Sequence, residues 1–169
     1  MKITTFLSAA TVCVAGSVWA GIYGDLPDAK HAWSVHDRNR PNPVKVTAEG
    51  VSYEGLSAIV TACNGQYYGG GFRPSIDARP DDGRMEVFLV KEVKLYEFPG
   101  LIGKYSKGNW RAISEEKLMH FYTDEVLIET PEPVVVNVDG EALYSDHINF
   151  TLVPGGVNFI VPKGLAMFR

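Results

Sequence analysis

"PEPVVVNVDGEALYSDHINFTLVPGGVNFIVP", Pro131 to Pro162, decides the fold class. Apolar residues alternate into Asp139-Gly140, the commonest short hairpin signal, and resume beyond it. Gly155-Gly156 makes a last tight turn before "VNFIVP". The stretch therefore reads as three or four strands. Asp139 and Glu141 stand two apart, so a regular strand puts them on one face. Two carboxylates so placed can divide the work of a general base and the group that supports it. On the residues alone, a plain Asp-Gly turn with a solvent-facing Glu141 is the first reading.

The same texture extends upstream. "VKVTAEGVSYEG" alternates across a hairpin with Glu49-Gly50 at its turn, and "LSAIVTACNG" is the near-continuous apolar run of a strand buried on both faces. "RMEVFLVKEV" is a strand after the Asp82-Gly83 turn, and "KLMHFYTDEVLIET" is strand-rich. "YEFPGLIGKYSKGNW" suits a short helix, and Asp25 to Pro43 reads as a polar, proline-containing loop. The sum is mainly β with minor α, an antiparallel sandwich of two packed sheets.

One domain accounts for the 169 residues, which can bury a core without disulfides or a structural metal. A net charge of -4 leaves no basic footprint, which argues against nucleic acid and against a strongly polybasic membrane surface. Seventeen Gly, ten Pro and nineteen aromatics fit many turns and strands. Cys13 and Cys63 form no CxxC pair and read as buried thiols.

Metal-ligand and nucleotide motifs are weak. His31 and His36 lie in the polar loop, His120 and His147 stand isolated, and no HExxH spacing occurs. "NGQYYGGGF" matches neither GxGxxG nor GxxxxGK[ST]. Asp77, Asp81 and Asp82 crowd a glycine turn, where a carboxylate and backbone carbonyls can hold a hard cation, but the spacing is not that of an EF-hand. Residues 1–20 have a Lys, an apolar run and Val18-Trp19-Ala20, the pattern of a secretory signal. Ile3, Phe6, Leu7, Ala10, Val14 and Val18 also recur at helical spacing.

Taken in order, "ACNGQYYGGGFRPSIDARPDDGRMEVFLV", "YSKGNW", "VVVNVDGEAL" and "INFTLVPGGVNFIVP" resemble the C-terminal domain of the bacterial diacylglycerol kinase-like lipid kinases, in the superfamily of diacylglycerol, sphingosine and ceramide kinases. The resemblance is strongest from Ile59 to Pro162. It implies an antiparallel β-sandwich preceded by an N-terminal helix, and so turns residues 1–20 from a signal peptide into a core helix. It implies that Glu141 is the general base, taking the proton of a lipid hydroxyl that attacks the γ-phosphate of ATP, with Asp139 in support. It also implies a structural Mg2+ at Arg79, Asp82 and Arg84, where Asp82 gives its carboxylate and the arginines their backbone carbonyls.

The nucleotide loop of the family, a G-G-D-G-T motif, is absent, as is the nucleotide-binding domain that carries it. Residues 1–169 are thus expected to be the acceptor-binding half of a kinase, inactive alone, with ATP reaching it only through the missing domain. The implied partners are a lipid acceptor, that domain, the membrane periphery and a second copy in a homodimer; the implied location is cytoplasmic. Two other readings stay open: a secreted β-sandwich module that binds carbohydrate through Tyr67, Tyr68 and Trp110, and a non-catalytic lipid-binding fragment.

Overall fold

A computed structural model describes residues 2–6, 11–15, 42–67, 71–94, 96–138 and 141–156, with 2–6, 11–15 and 141 given by their backbone. The strands are β1 (Lys2–Phe6), β2 (Thr11–Ala15), β3 (Asn42–Ala48), β4 (Val51–Cys63), β5 (Met85–Lys91), β6 (Leu118–Thr123), β7 (Glu125–Val138) and β8 (Glu141–Val153). Helix α1 (Phe98–Tyr105) and a 3-10 turn (Trp110–Ala112) link β5 to β6. The fold is mainly β, as the alternation requires. Residues 42–43, at the end of the stretch read as a loop, belong to β3.

The strands join in one hydrogen-bonded sheet, in the order β1-β8-β7-β2-β4-β5-β6 with β3 between β4 and β7, where the sequence reading expected two packed sheets. The cause lies in the length of β4 and β7. Each is long enough to take two partners along one edge. β2 pairs with Ile59–Cys63 of β4 and with Val136–Val138 of β7. β3 pairs with Val51–Ser57 of β4 and with Val126–Glu129 of β7. β2 and β3 thus run end to end in one lane and join the two wings of the sheet. Every pairing is antiparallel except β1 with β8.

The expected N-terminal helix is also corrected, because Lys2–Phe6 and Thr11–Ala15 are strands. "KITTF" and "TVCVA" are rich in β-branched residues, which suit a pleated ladder better than a helix. The helical spacing of Ile3, Phe6 and Val14 was outweighed by that local preference and by the ladder partners available on β8, β4 and β7.

Two buried clusters use the two faces of β4 and β5. On one face Val60, Ala62, Val87 and Leu89 meet Val126, Ile128, Val136, Ile148 and Phe150 of the opposite wing. The sheet therefore curls so that both wings share a core. On the other face Ile59, Cys63, Phe88, Val90 and Leu118 are covered by α1 through Leu101 and Tyr105. This double cover explains why β4 is buried from Ser57 to Cys63, as its continuous apolar run foretold.

Helix α1 begins with Pro99 in its first turn, where a missing N–H costs no helical bond. Leu101 and Tyr105, four apart, face the sheet, and Tyr105 meets Phe88 edge to face with centroids 5.6 Å apart. After the helix the chain turns at Gly108, whose φ of +73° favours glycine. A Cβ there would stand 2.1 Å from Ile76 Cγ2, so the loop after the glycine run packs tightly on the helix end.

Candidate functional site

The register gathers several chemistry-bearing turns at one end of the sheet. Glu141, first residue of β8, is the ladder partner of Val138, last residue of β7. Val138 neighbours Val12, and Val12 neighbours Ala62 near the end of β4. Two strand spacings of about 4.8 Å put the hairpin about 10 Å sideways from the point where β4 gives way to Asn64-Gly65-Gln66. Across β4, Cys63 is the partner of Glu86 on β5. Asp139, with Gly140, lies outside the described residues, so the Asp139–Glu141 pairing of the sequence reading is placed at Glu141 alone, by its backbone.

The cation turn lies elsewhere. A Cβ on Gly83 would sit 3.8 Å from Pro154, the residue after β8 ends, whereas Glu141 begins that strand. The thirteen residues of β8 lie between them along the chain. The turn itself is ordered. Asp82 Oδ1 accepts the Arg84 N–H at 3.0 Å, and Gly83 takes a φ of +71°. The Arg79 guanidinium grips Asp81 through two bonds of 3.1 Å. That bond lowers the Asp81 carboxyl and raises Arg79. Among the described residues no three His, Cys, Asp or Glu side chains form a metal cluster.

Sequence reasoning missed a buried carboxylate on β5. Glu86 is 1% exposed. It accepts hydrogen bonds from Ser75 Oγ and, at 3.2 Å, from the Tyr122 hydroxyl, and it pairs with His120 Nε2 at 2.6 Å. Burial, then the Glu86 charge, pushes the Tyr122 hydroxyl up to about 12. The available signal was one charged residue inside the apolar run "MEVFLV"; a buried carboxylate needs such donors. His120 stacks on Trp110 at 3.9 Å, and Arg111 covers the Trp110 ring at 4.3 Å. Trp110 is thus packed between His120 and Arg111. A groove of about 580 Å³ runs past Trp110, Arg111, Ile113, Leu118 and His120.

The remaining sequence candidates separate cleanly. Asp77 pairs with Arg111 at 2.9 Å, which ties the acidic turn to the 3-10 segment. His147 faces Glu129 at 3.6 Å on the surface, and Cys63 is a buried thiol. Tyr67 is 59% exposed and lies under the Arg73 guanidinium. His31, His36, Tyr68, Gly69 and Gly70 lie outside the described residues.

Comparison with known proteins follows the same stretch of chain. Residues 29–161 match the family model described as "YegS C-terminal NAD kinase beta sandwich-like domain". The chain is 27% identical over 123 residues to "Putative lipid kinase SERP0390" of Staphylococcus epidermidis, covering 70% of this chain and 40% of that one. It is 26% identical over 125 residues to "Probable lipid kinase YegS-like" of Shewanella frigidimarina, covering 73% and 39%. A crystal structure titled as a "putative diacylglycerol kinase" from Bacillus anthracis superposes with a TM-score of 0.58 at 25% identity, over 88% of this chain and 55% of that one. The chain spans about two fifths of the length of these lipid-kinase relatives.

Proposed function

The chain belongs to the family of the YegS C-terminal, NAD kinase beta sandwich-like domain, and on that premise we propose that it is the acceptor-binding and general-base half of an ATP-dependent lipid kinase. The observation that carries the reading is the position of Glu141. It opens β8 directly after the hairpin, at the level of the end of β4 with β7 and β2 between them. We read the curled sheet, whose wings share one core, as the sandwich of this family.

In the proposed step the lipid hydroxyl attacks the γ-phosphorus of ATP. An O–P bond forms as the bond from the γ-phosphorus to the bridging oxygen breaks, and ADP leaves. The hydroxyl proton passes to the Glu141 carboxylate, which raises the nucleophilicity of the oxygen as the bond forms. Asp139 supports that carboxylate. The nucleotide is held by a separate binding half, for which the greater length of the relatives leaves room. The 169 residues alone are inactive in this reading, and they meet their acceptor at the cytoplasmic membrane periphery as a homodimer.

In this reading a structural Mg2+ would sit at the Asp82 turn. Asp81 occupies the Arg79 guanidinium. The backbone carbonyls of residues 79 and 84 can then join the Asp82 carboxylate as oxygen ligands. The ion would brace the turn and take no part in the transfer, since Glu141 stands at the other end of β8.

Among the described residues no helix is long and apolar enough to cross a membrane. The deciding experiment replaces Glu141 by Gln in the full-length kinase and follows ATP-dependent phosphorylation of lipid. A fall by orders of magnitude in a folded protein supports the reading; unchanged turnover removes Glu141 from it.

A further inference from the structure

Arg73 is a half-buried cation that no acid among the described residues pairs with. Its Nη2 donates to Gln66 Oε1 at 2.7 Å, and its guanidinium lies 5.1 Å from the centroid of the Tyr67 ring. Its Nε is buried and makes no hydrogen bond. Among the described residues the ion pairs involve Lys45, Arg79, Arg111, Lys117, His120 and His147, and none involves Arg73. The contrast with Arg79 and Arg111 is direct, because both are exposed and both hold an aspartate. Arg79 and Arg111 are neutralised in water, and Arg73, partly withdrawn from it, is in no ion pair among the described residues.

The backbone fixes this guanidinium in place. The Arg73 N–H donates to the Ser106 carbonyl at 2.9 Å, just past α1, and the Arg73 carbonyl closes on Gly108. Gln66, its side-chain partner, follows β4 at the sheet end that also carries the Glu141 hairpin. Withdrawing a charge from water costs free energy unless a counter-charge meets it. A planar guanidinium with an unused Nε edge is shaped for two oxygens of one anion.

We propose that Arg73, backed by Gln66 and Tyr67, is a binding site for a phosphate group, the anion clamp of the acceptor end of the sheet. The role rests on the lipid-kinase reading, where the phosphate is the transferred group, but the binding does not need the reaction. The phosphate can arrive free or as the head of a phosphorylated lipid, and both present the same oxygens.

The test is a titration of the 15N-labelled chain with inorganic phosphate, read at the arginine Nε–H resonances and compared with sodium chloride at equal ionic strength. The expected result is a saturable shift of the Arg73 resonance with those of Arg79 and Arg111 unmoved. Arg73→Gln should weaken phosphate binding at least about tenfold, and Arg73→Lys by less, since it keeps the charge and loses the fork. Should Arg73→Gln fail to fold, Arg73→Lys carries the comparison. Dihexanoyl phosphatidic acid below its micelle concentration gives the second arm. Tighter binding than inorganic phosphate assigns the site to the lipid head, and equal binding assigns it to the bare phosphate group. The same shift with chloride, no shift, or parental affinity in the variants overturns the proposal. Those results leave the Glu141→Gln turnover test untouched.

Discussion

Glu86 and His120 face each other at 2.6 Å between neighbouring strands, with the carboxylate sealed and the imidazole at the edge of a groove. Ser75 and Tyr122 complete the shell of the carboxylate, so a loop, an inner strand and the next strand converge on one charge. Glu86→Ala leaves those donors without an acceptor. It should cost about 3–5 kcal/mol of stability, as for a broken buried pair. The denaturant midpoint measures this, and a loss under about 1 kcal/mol would show the network to be dispensable.

Tyr122 sets a limit at high pH. Its folded value, about 12, lies above the ordinary 10.0. A raised value means that the folded state keeps the proton longer than the unfolded chain. The associated stability is complete below the unfolded value and is lost as pH climbs through the window between the two. Melting temperature should therefore fall more steeply across that window in the parent than in Tyr122→Phe. Parallel curves for the two proteins would refute the assignment.

Glu141→Gln in the full-length kinase should lower turnover about 10²–10⁴-fold, the usual worth of a positioned base, with an unchanged melting temperature. The variant keeps the shape of the side chain and loses only its basicity. A loss of fold would instead point to a structural role.

Asp82→Ala addresses the cation turn. Magnesium should raise the melting temperature of the parent and leave that of the variant unmoved. Because β8 separates this turn from Glu141, the variant in the full-length kinase should keep most of its turnover at saturating substrate. Equal magnesium responses in parent and variant would make the turn a plain Asx turn.

Gly103 and Gly108, on either side of the helix end, behave oppositely under one substitution: Gly103 lies in α1 with open space around a would-be Cβ, and Gly108 turns with a positive φ against Ile76. Gly103→Ala should stabilise by about 0.5–1 kcal/mol through helix preference. Gly108→Ala should destabilise by about 1–3 kcal/mol, from its positive φ and the clash with Ile76. Denaturation midpoints of the two variants check the contrast.

Much of the fold was legible because it is local. Hairpins announce themselves in Glu49-Gly50 and Asp139-Gly140, and a strand covered on both faces announces itself in "LSAIVTAC". What stayed hidden depends on partners distant in sequence. That β2 and β3 share a lane follows from the length of β4 and β7, which no local pattern states. The sharing also joins what alternation alone renders as two sheets. Of the candidate site, the hairpin position was readable, whereas the Glu86–His120 contact spans 34 positions and the orphaned Arg73 emerges only once its neighbours are in place.

The lane filled by two pieces of chain also bears on how such a domain can change over generations. An insertion or deletion between Ala15 and Asn42 leaves the described pairings of β2 and β3 intact, since each piece keeps its own rungs on β4 and β7. The same change inside β4 would slide one piece against the other and turn half of a wing inside out. Length variation among relatives should therefore collect between those two residues, while the long strands on either side hold their count.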